Sequence, residues 1–303
     1  MNIQPSGAVL GASVTEIDLK APLARGDFAV LLRALGEHGV LCFPKQFLDA
    51  PALKRFAGNF GGLHVLSAAK YFVPGLPEVT VLSNIRQDGK PVGAADAGQF
   101  WHTDMAYNRV VGFVNVLSAH AVPQRNGQPL GATAFTNTQA AYEGLPQALK
   151  NKLANAVAMH DLNQSWERSR SERQSTRPPL TEAQRREHPP VPHPVFLTHP
   201  ITGRKAIYVT PSYVTHIEGM TQDESRRTLE ELFAHVLKPE YRYEHHWTVG
   251  DVLMWDHLGT WHNAVADYGP DEPRLMQRCQ VMADRVFDPR FLSDALGESA
   301  VTP

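Results

Sequence analysis

The sequence predicts a mostly β fold with flanking helices (α+β), in which short strands form a sandwich or barrel and the helices pack outside it. Three observations support this prediction. Short apolar and β-branched runs recur along the chain, with turn-forming Gly, Pro and Asn between them. Apolar residues at helical spacing are confined to a few segments between those runs. No internal repeat or shift of composition divides the chain, so we expect one domain over residues 1–303.

The N-terminal elements follow from local pattern. Residues 8–18 mix small and β-branched residues around a glycine, which predicts an opening hairpin or strand pair. Residues 27–37 carry apolar side chains at helical spacing and predict an amphipathic helix. The apolar run at 40–43 stops at a proline and predicts a buried strand, in which Cys42 acts as a small hydrophobic residue. Residues 51–60 predict a helix with proline in its first turn.

The rest of the chain predicts strands wherever short apolar runs lie between turn residues. These strands are 78–83, 112–121, 133–135, 194–198, 205–210, 241–247, 251–255, 262–264 and 275–282. A loop over 86–98 leads to a further strand around His102, and residues 125–129 form a turn. Helices are predicted over 138–157, with a break near Gly144, and over 222–237.

Residues 164–192 differ from their surroundings. They are rich in Ser, Arg and Glu and contain two Pro-Pro pairs. One interpretation is a solvated, partly disordered loop, and the other is a lid over an active site, because long loops in compact domains are commonly one or the other. The sequence does not decide between them.

Composition excludes several function classes. The net charge is −2, so no strong field is expected to attract nucleic acid or an anionic membrane surface. Two cysteines far apart in sequence do not predict a disulfide framework. The N-terminus lacks the pattern of a secretory signal, and no apolar run has the length of a membrane span. We therefore expect a cytoplasmic protein.

The chemistry is predicted to centre on His102 and Asp104, which are two residues apart. On a strand, residues at this spacing point to the same face. They would supply two ligands of the 2-His-1-carboxylate triad that holds non-haem Fe(II) with open positions. We place the third ligand at His262. His-x-Asp alone is a weak signal in a chain with 14 histidines, and His245, His246 and His257 are interpreted as structural or exposed.

Two arginines strengthen the prediction. Arg274 and Arg278 are four residues apart, so both face the same way on a strand. If that face is the barrel interior, each guanidinium needs an anion, because an unpaired buried charge is costly. The planar guanidinium binds a carboxylate through two hydrogen bonds. An anionic organic co-substrate beside the metal is therefore expected.

These motifs together resemble the TauD/TfdA (taurine dioxygenase-like) family of Fe(II)- and 2-oxoglutarate-dependent dioxygenases. The resemblance covers nearly the whole chain in order. It is carried by residues 101–104, 131–135, 140–143, 193–205 and 255–262 and by the pair Arg274 and Arg278.

The resemblance implies a double-stranded β-helix (jelly-roll) core and a reaction in which 2-oxoglutarate and O₂ are consumed. Fe(II) would be held by His102, Asp104 and His262. A small anionic organic substrate would be hydroxylated with release of succinate and CO₂. Hydroxylation at a carbon that bears a heteroatom would lead to C–O, C–S or C–N cleavage.

The resemblance also assigns the co-substrate residues. Arg274 and Thr133 would hold the distal carboxylate of 2-oxoglutarate, and Arg278 would lie nearer the prime substrate. Two alternatives stay open. Thr133 is a plain strand residue in one, and Arg278 forms an ion pair within the barrel in the other.

Comparison with taurine-specific members of the family narrows the range of expected substrates. These members carry a histidine two positions after the one that matches His64, where this chain has Leu66. A sulfonate would lose a donor there, so taurine itself is not expected. Leu66 and Tyr107 favour a more apolar pocket, such as one for an aryl or alkyl acid or a sulfonate-like compound.

Other function classes remain open at this stage. A non-catalytic jelly-roll protein that binds a metal or senses a ligand could use the same triad to hold Zn²⁺ or Ni²⁺. A carbohydrate-binding jelly roll would be expected to rely on exposed aromatic residues and Ca²⁺ ligands, and the two arginines argue against it. The oligomeric state is not determined, and a homodimer or homotetramer is allowed.

Overall fold

The computed structural model describes residues 1–65, 71–172 and 178–297. Its helices are α1 (Arg25–His38), α2 (Ala50–Gly58), α3 (Thr138–Glu143), α4 (Gln147–Leu153), α5 (Leu162–Glu172), α6 (Glu182–Glu187), α7 (Gln222–Val236) and α8 (Pro289–Leu296). Its strands in the first half are β1 (Asn2–Pro5), β2 (Ala12–Thr15), β3 (Val40–Phe43), β4 (Phe72–Val73), β5 (Leu76–Ser83), β6 (Arg86–Gln87), β7 (Lys90–Pro91), β8 (Gly112–Ala121), β9 (Gln124–Arg125), β10 (Gln128–Pro129) and β11 (Thr133–Asn137). The later strands are β12 (Val157–His160), β13 (Val191–Pro194), β14 (Phe196–Thr198), β15 (Lys205–Ile207), β16 (Val214–Ile217), β17 (Arg242–His245), β18 (Val252–Asp256), β19 (Thr260–Ala264) and β20 (Leu275–Met282).

Two sheets face each other and form the jelly-roll core that was predicted. The larger has eight strands in the order β1-β2-β3-β18-β8-β20-β5-β4, and the smaller has the order β17-β11-β19. Phe135 of β11 meets Trp255 of β18 edge-on, with ring centroids 5.6 Å apart. Because these rings come from different sheets, their contact places an apolar layer between the sheets. The expected sandwich or barrel with helices outside is confirmed.

Strand β18 shows why the apolar runs predicted strands correctly. Val252 and Met254 belong to the core beneath the helices, whereas Leu253 and Trp255 belong to the core between the sheets. Successive side chains on a strand point to opposite faces, so a strand covered on both faces is apolar at every position. Leu32 of α1 and other buried residues of α1 and α2 supply the outer cover.

Helix starts follow local capping chemistry. The Asp49 side chain accepts a hydrogen bond from the Ala52 amide at the start of α2, where Pro51 occupies the first turn as expected. Thr221 caps α7 in the same manner. The predicted interruption near Gly144 separates α3 from α4, although residues 154–157 leave the helix and enter β12.

The prediction of a loop over 164–192 is wrong for most of this segment. Helices α5 and α6 occupy much of it, strand β13 begins at Val191, and residues 173–177 lie outside the described part of the chain. Glu167 accepts from Arg170 and from Arg185, each at 2.7 Å, so charge pairs join the two helices. Such helices lack a strong apolar stripe, which is why periodicity did not predict them. The lid hypothesis for this segment stays a prediction.

The strand predicted around His102 is also wrong. His102 forms an isolated antiparallel bridge with His262, and Asp104 begins a turn in which Met105 has a φ of 60°. Strands β12 and β16 and the C-terminal helix α8 were not predicted. Among the described residues, no helix combines the length and apolar character needed to cross a bilayer.

Candidate metal centre

Two neighbouring residues, His102 and Asp104, and the distant His262 bring their side chains together in the jelly-roll interior. The backbone amides of His102 and His262 donate to each other's carbonyls at 3.0 and 2.8 Å, which fixes the two histidines opposite one another. Their nitrogens and a carboxylate oxygen of Asp104 all lie within 4.8 Å of one another. Asp104 Oδ1 is 3.3 Å from His102 Nε2, and Oδ2 is 3.7 Å from His262 Nε2. All three residues are buried.

Hydrogen bonding leaves His102 ready to act as a ligand. Its Nδ1 lies 2.7 Å from the Phe100 carbonyl oxygen, which can only accept. Nδ1 therefore carries a proton, and Nε2 is the nitrogen that faces Asp104 and can coordinate a metal. Metal-binding histidines are oriented in this way by a carbonyl on their second nitrogen. Burial and the neighbouring His102 hold the pKa of His262 well below its usual value, which keeps the His262 ring neutral.

Asp104 is held as a carboxylate. Burial opposes its charge, but Arg278, whose Nη1 lies 3.5 Å from Oδ2, and hydrogen bonding with His102 outweigh burial and keep the pKa well below its usual value. The Asn115 amide donates to Oδ2 at 2.6 Å. Sequence reasoning missed Asn115. The available signal was a lone amide in the otherwise apolar run Gly112–Leu117 of β8.

The donor set fits a divalent metal. Two ligands on bonds of ~2.1 Å to one ion lie roughly 3 to 3.5 Å apart. The separations of 3.3 and 3.7 Å at Asp104 are close to that range. Two imidazoles and one carboxylate on one side of an ion are typical of non-haem Fe(II) sites with open positions. Fe(II) bound here would be held by His102, Asp104 and His262.

A buried arginine lies beside the strand that carries the threonine predicted to bind 2-oxoglutarate. Arg274 is 6% exposed, and its Nε has no hydrogen-bond partner among the described residues. A Cβ on Gly131, whose φ is +69°, would come within 3.1 Å of that Nε, so the chain two residues before Thr133 passes directly against Arg274. The Thr133 hydroxyl accepts from Trp247 Nε1 at 3.0 Å. Arg274 thus offers an unpaired donor for an anion.

Comparisons with known proteins show the family to which the chain belongs. The family model for taurine catabolism dioxygenases (TauD, TfdA family) matches residues 2–280. The chain belongs to the TauD/TfdA family. The predicted enzyme class, a non-haem iron dioxygenase that depends on 2-oxoglutarate, is confirmed by this membership. Fe(II), 2-oxoglutarate and O₂ are the cofactor and co-substrates of that class.

Individual relatives span nearly the whole chain. Pentalenolactone F synthase of Streptomyces arenae is 30% identical over 92% of this chain and 94% of its own. The alpha-ketoglutarate-dependent 2,4-dichlorophenoxyacetate dioxygenase of Cupriavidus pinatubonensis is 31% identical over 93% and 98%. The crystal structure of AAD-2 in complex with Mn(II) and N-oxalylglycine superposes with a TM-score of 0.77 at 26% identity, covering 93% of this chain and 98% of that one.

In this TauD/TfdA-family dioxygenase, Arg278 faces the candidate ligand Asp104. Its ion pair with Asp104 matches the alternative in which Arg278 binds a carboxylate within the barrel. The side chain of Arg278 is 14% exposed and its Nε has no partner among the described residues. The same guanidinium therefore has hydrogen-bonding capacity left for a second anion.

The other predicted substrate residues lie near Arg278. Burial and the charge of Arg278 lower the pKa of His64, whose Nε2 is buried without a described partner. Tyr107 is buried, and its ring contacts His188 and Tyr213 at centroid distances of 5.6 and 4.9 Å. His188 brings the end of the predicted lid segment to the site. Leu66 lies outside the described residues.

One further histidine adjoins the dioxygenase site. His257 is 1% exposed, its Nε2 lies 3.8 Å from Asp104 Oδ2, and its carbonyl accepts from the Thr103 hydroxyl at 2.7 Å. Burial lowers its pKa to about 4, so the ring is neutral. The sequence indicated a structural or exposed residue, and its closeness to Asp104 was not predicted.

Proposed function

We propose that this dioxygenase hydroxylates a small organic acid with an apolar aryl or alkyl body, using Fe(II) at His102, Asp104 and His262. Arg274, assisted by Thr133, would bind the distal carboxylate of 2-oxoglutarate, which is converted to succinate and CO₂. The convergence of a buried 2-His-1-carboxylate triad with a buried guanidinium whose Nε has no described partner carries this proposal. When bound, Fe(II) supplies the redox chemistry by which O₂ and 2-oxoglutarate oxidise a C–H bond.

The side chains of the protein hold and shield the reacting groups. The Phe100 carbonyl fixes the tautomer of His102, and Asn115 fixes the carboxylate of Asp104. Burial of the triad excludes water, which strengthens these contacts. Arg278 neutralises Asp104 from the side where His64 and Tyr107 lie, which is where we place the prime substrate.

The substrate class is supported by the aromatic character of this side of the site. Tyr107 and Tyr213 offer ring faces and edges to an apolar group, whereas Arg278 and His64 offer donors to its acid group. A relative named for 2,4-dichlorophenoxyacetate, an aryloxy acid, is 31% identical to this chain. If hydroxylation falls on the carbon that bears an ether oxygen, the product collapses and the C–O bond breaks.

A substrate panel tests the proposal. The Fe(II) protein is incubated with 2-oxoglutarate and an aryloxyacetate, an alkyl sulfate, an alkanesulfonate or taurine, and succinate is measured. We expect stoichiometric succinate and oxidised product with an aryl or alkyl acid and little with taurine. N-oxalylglycine, the 2-oxoglutarate analogue, should inhibit. Turnover with taurine alone would overturn the proposed substrate class.

Location and assembly also belong to the proposal. Two free cysteines are compatible with a reducing cytoplasm. We expect no nucleic-acid partner, and gel filtration would show whether the protein is a monomer, dimer or tetramer.

A further inference from the structure

A second group of potential metal ligands lies in the jelly roll and shares no residue with the iron triad. It consists of Cys42, His245 and Asp251, and we name it the Cys-His-Asp cluster. One ligand atom from each lies within 4.8 Å of the other two. His245 and Asp251 are buried, and Cys42 is partly exposed.

The cluster joins the two sheets. Cys42 lies in β3, where it pairs with Leu253 of β18, and Asp251 immediately precedes β18 in the larger sheet. His245 ends β17 in the smaller sheet, where it pairs with Thr133. A single ion bound by all three would therefore connect the two sheets.

Packing fixes the position of the His245 ring, but one of its nitrogens has no hydrogen-bond partner among the described residues. It packs edge-on against Trp247, with centroids 4.9 Å apart, and it is 8% exposed. Its Nε2 is buried and has no hydrogen-bond partner among the described residues. Asp251 Oδ2 lies 3.9 Å from it, which is too long for a hydrogen bond. Ligands that share one tetrahedral ion on ~2.1 Å bonds lie roughly 3.4 Å apart, so a small adjustment would suit an ion.

The carboxylate is already oriented. Asp251 Oδ2 accepts from the Thr248 amide at 2.9 Å, which fixes the turn before β18. Metal-binding carboxylates are commonly held by a second hydrogen bond of this kind.

The protonation states do not suit a nucleophile. Burial, with the nearby Asp251, raises the pKa of the Cys42 thiol to about 12, and burial lowers the pKa of His245 to about 4. A neutral thiol beside a neutral imidazole is a poor nucleophile, because the thiolate is the reactive form. A divalent cation would supply the positive charge that lets a thiol ionise and bind.

We propose that Cys42, His245 and Asp251 bind one Zn²⁺, with a fourth position open to solvent beside the partly exposed Cys42. A thiolate, an imidazole and a carboxylate are all zinc ligands in proteins. The thiolate distinguishes this cluster from the iron triad, since soft sulfur ligands favour zinc. The ion would link the two sheets of the jelly roll and would be separate from the catalytic metal.

Cobalt spectroscopy tests metal binding by the Cys-His-Asp cluster directly. Metal-free full-length protein is titrated with Co²⁺, and the near-ultraviolet thiolate-to-cobalt charge-transfer band is recorded. The iron triad contains no sulfur, so this band reports only a cysteine ligand. We expect a saturable band in the wild type that Zn²⁺ displaces. Cys42→Ser should abolish it, whereas Cys279→Ser, which removes the other cysteine, a buried one, should retain it.

Three further variants separate metal binding from folding and from catalysis. Asp251→Asn keeps an oxygen for the Thr248 amide but removes the anionic ligand, and should weaken Co²⁺ binding at this site at least ~10-fold. The double variant His102→Ala/Asp104→Ala should lose the catalytic metal and keep the band. Zn²⁺ should also raise the melting temperature of this double variant, and this rise should vanish when Cys42→Ser is added. Absence of the band, or its persistence in Cys42→Ser, would overturn the proposal.

Discussion

The hydrogen bond from Asn115 to Asp104 gives the sharpest test of the metal centre. Asn115 is fully buried in β8, and its amide lies 2.6 Å from Asp104 Oδ2. Asn115→Leu keeps a side chain of similar size but removes the donor. We expect the protein to fold and to bind its metal more weakly, because the carboxylate is no longer oriented.

The expected loss of metal affinity follows from the charge of the hydrogen-bond acceptor, Asp104. A hydrogen bond to a charged group contributes about 1.5–3 kcal/mol. Since 1.4 kcal/mol corresponds to a tenfold change in an equilibrium constant, metal affinity should fall ~10- to 100-fold. The kcat measured at saturating metal should fall less than the affinity, because Asn115 contacts a ligand and is not itself one.

Anaerobic calorimetry with Fe(II), and with Mn(II) in air, measures the affinity. Ser118→Ala is the matched control, since Ser118 lies in the same strand, is 1% exposed and has a hydroxyl without a described partner. This control should bind metal as the wild type does, and circular dichroism should show both variants folded. A folded Asn115→Leu variant with unchanged affinity would refute the reasoning.

Three further perturbations address the triad, the co-substrate and acid stability. His102→Ala or Asp104→Ala should abolish Fe(II)-dependent succinate release while far-ultraviolet circular dichroism stays unchanged, and full turnover in either would remove that residue from the ligand set. Arg274→Ala should raise the KM for 2-oxoglutarate at least ~10-fold with little effect on metal affinity, whereas loss of metal binding alone would contradict its assigned role. Burial, with the neighbouring His193, lowers the pKa of His160 from 6.5 to about 4. Between these two pH values, the unfolded chain therefore binds a proton at His160 that the folded protein does not bind. The stability that comes from keeping His160 neutral is therefore fully present above pH 6.5, and the free energy of unfolding falls as the pH is lowered towards 4. His160→Gln should flatten that fall by up to about 1.4 kcal/mol per pH unit in urea titrations, and an unchanged slope would show that His160 does not titrate this way.

Much of the architecture was predictable because it is encoded in local patterns. The runs that form β3, β8 and β20 coincide with the predicted strands at 40–43, 112–121 and 275–282. Helix α7 was predicted within one residue at its C-terminal end, since its apolar spacing and its Thr221 cap are local signals. The family and enzyme class were also predicted, because the spacing of motifs along the chain is a property of the sequence.

Helices without an apolar stripe were not predictable in this way. Glu167 joins α5 to α6 through Arg185, which is 18 residues further along the chain. The stabilising contacts depend on which charges meet once the segment has folded back. Composition alone therefore indicated a loop over 164–192.

The sequence by itself determined which residues are candidate ligands, and only the tertiary structure decided how these residues meet. His102 and Asp104 were expected to share a strand, yet Asp104 reaches His102 from a turn, and the backbone pairing with His262 sets the site. The contact of Asn115 with Asp104 and the approach of Cys42 to His245 depend on strand registers between distant segments. Spacing rules describe the faces of one element, whereas the pairing of elements is fixed by packing of the whole core. For that reason the position of each functional group relative to its neighbours was decided by the fold.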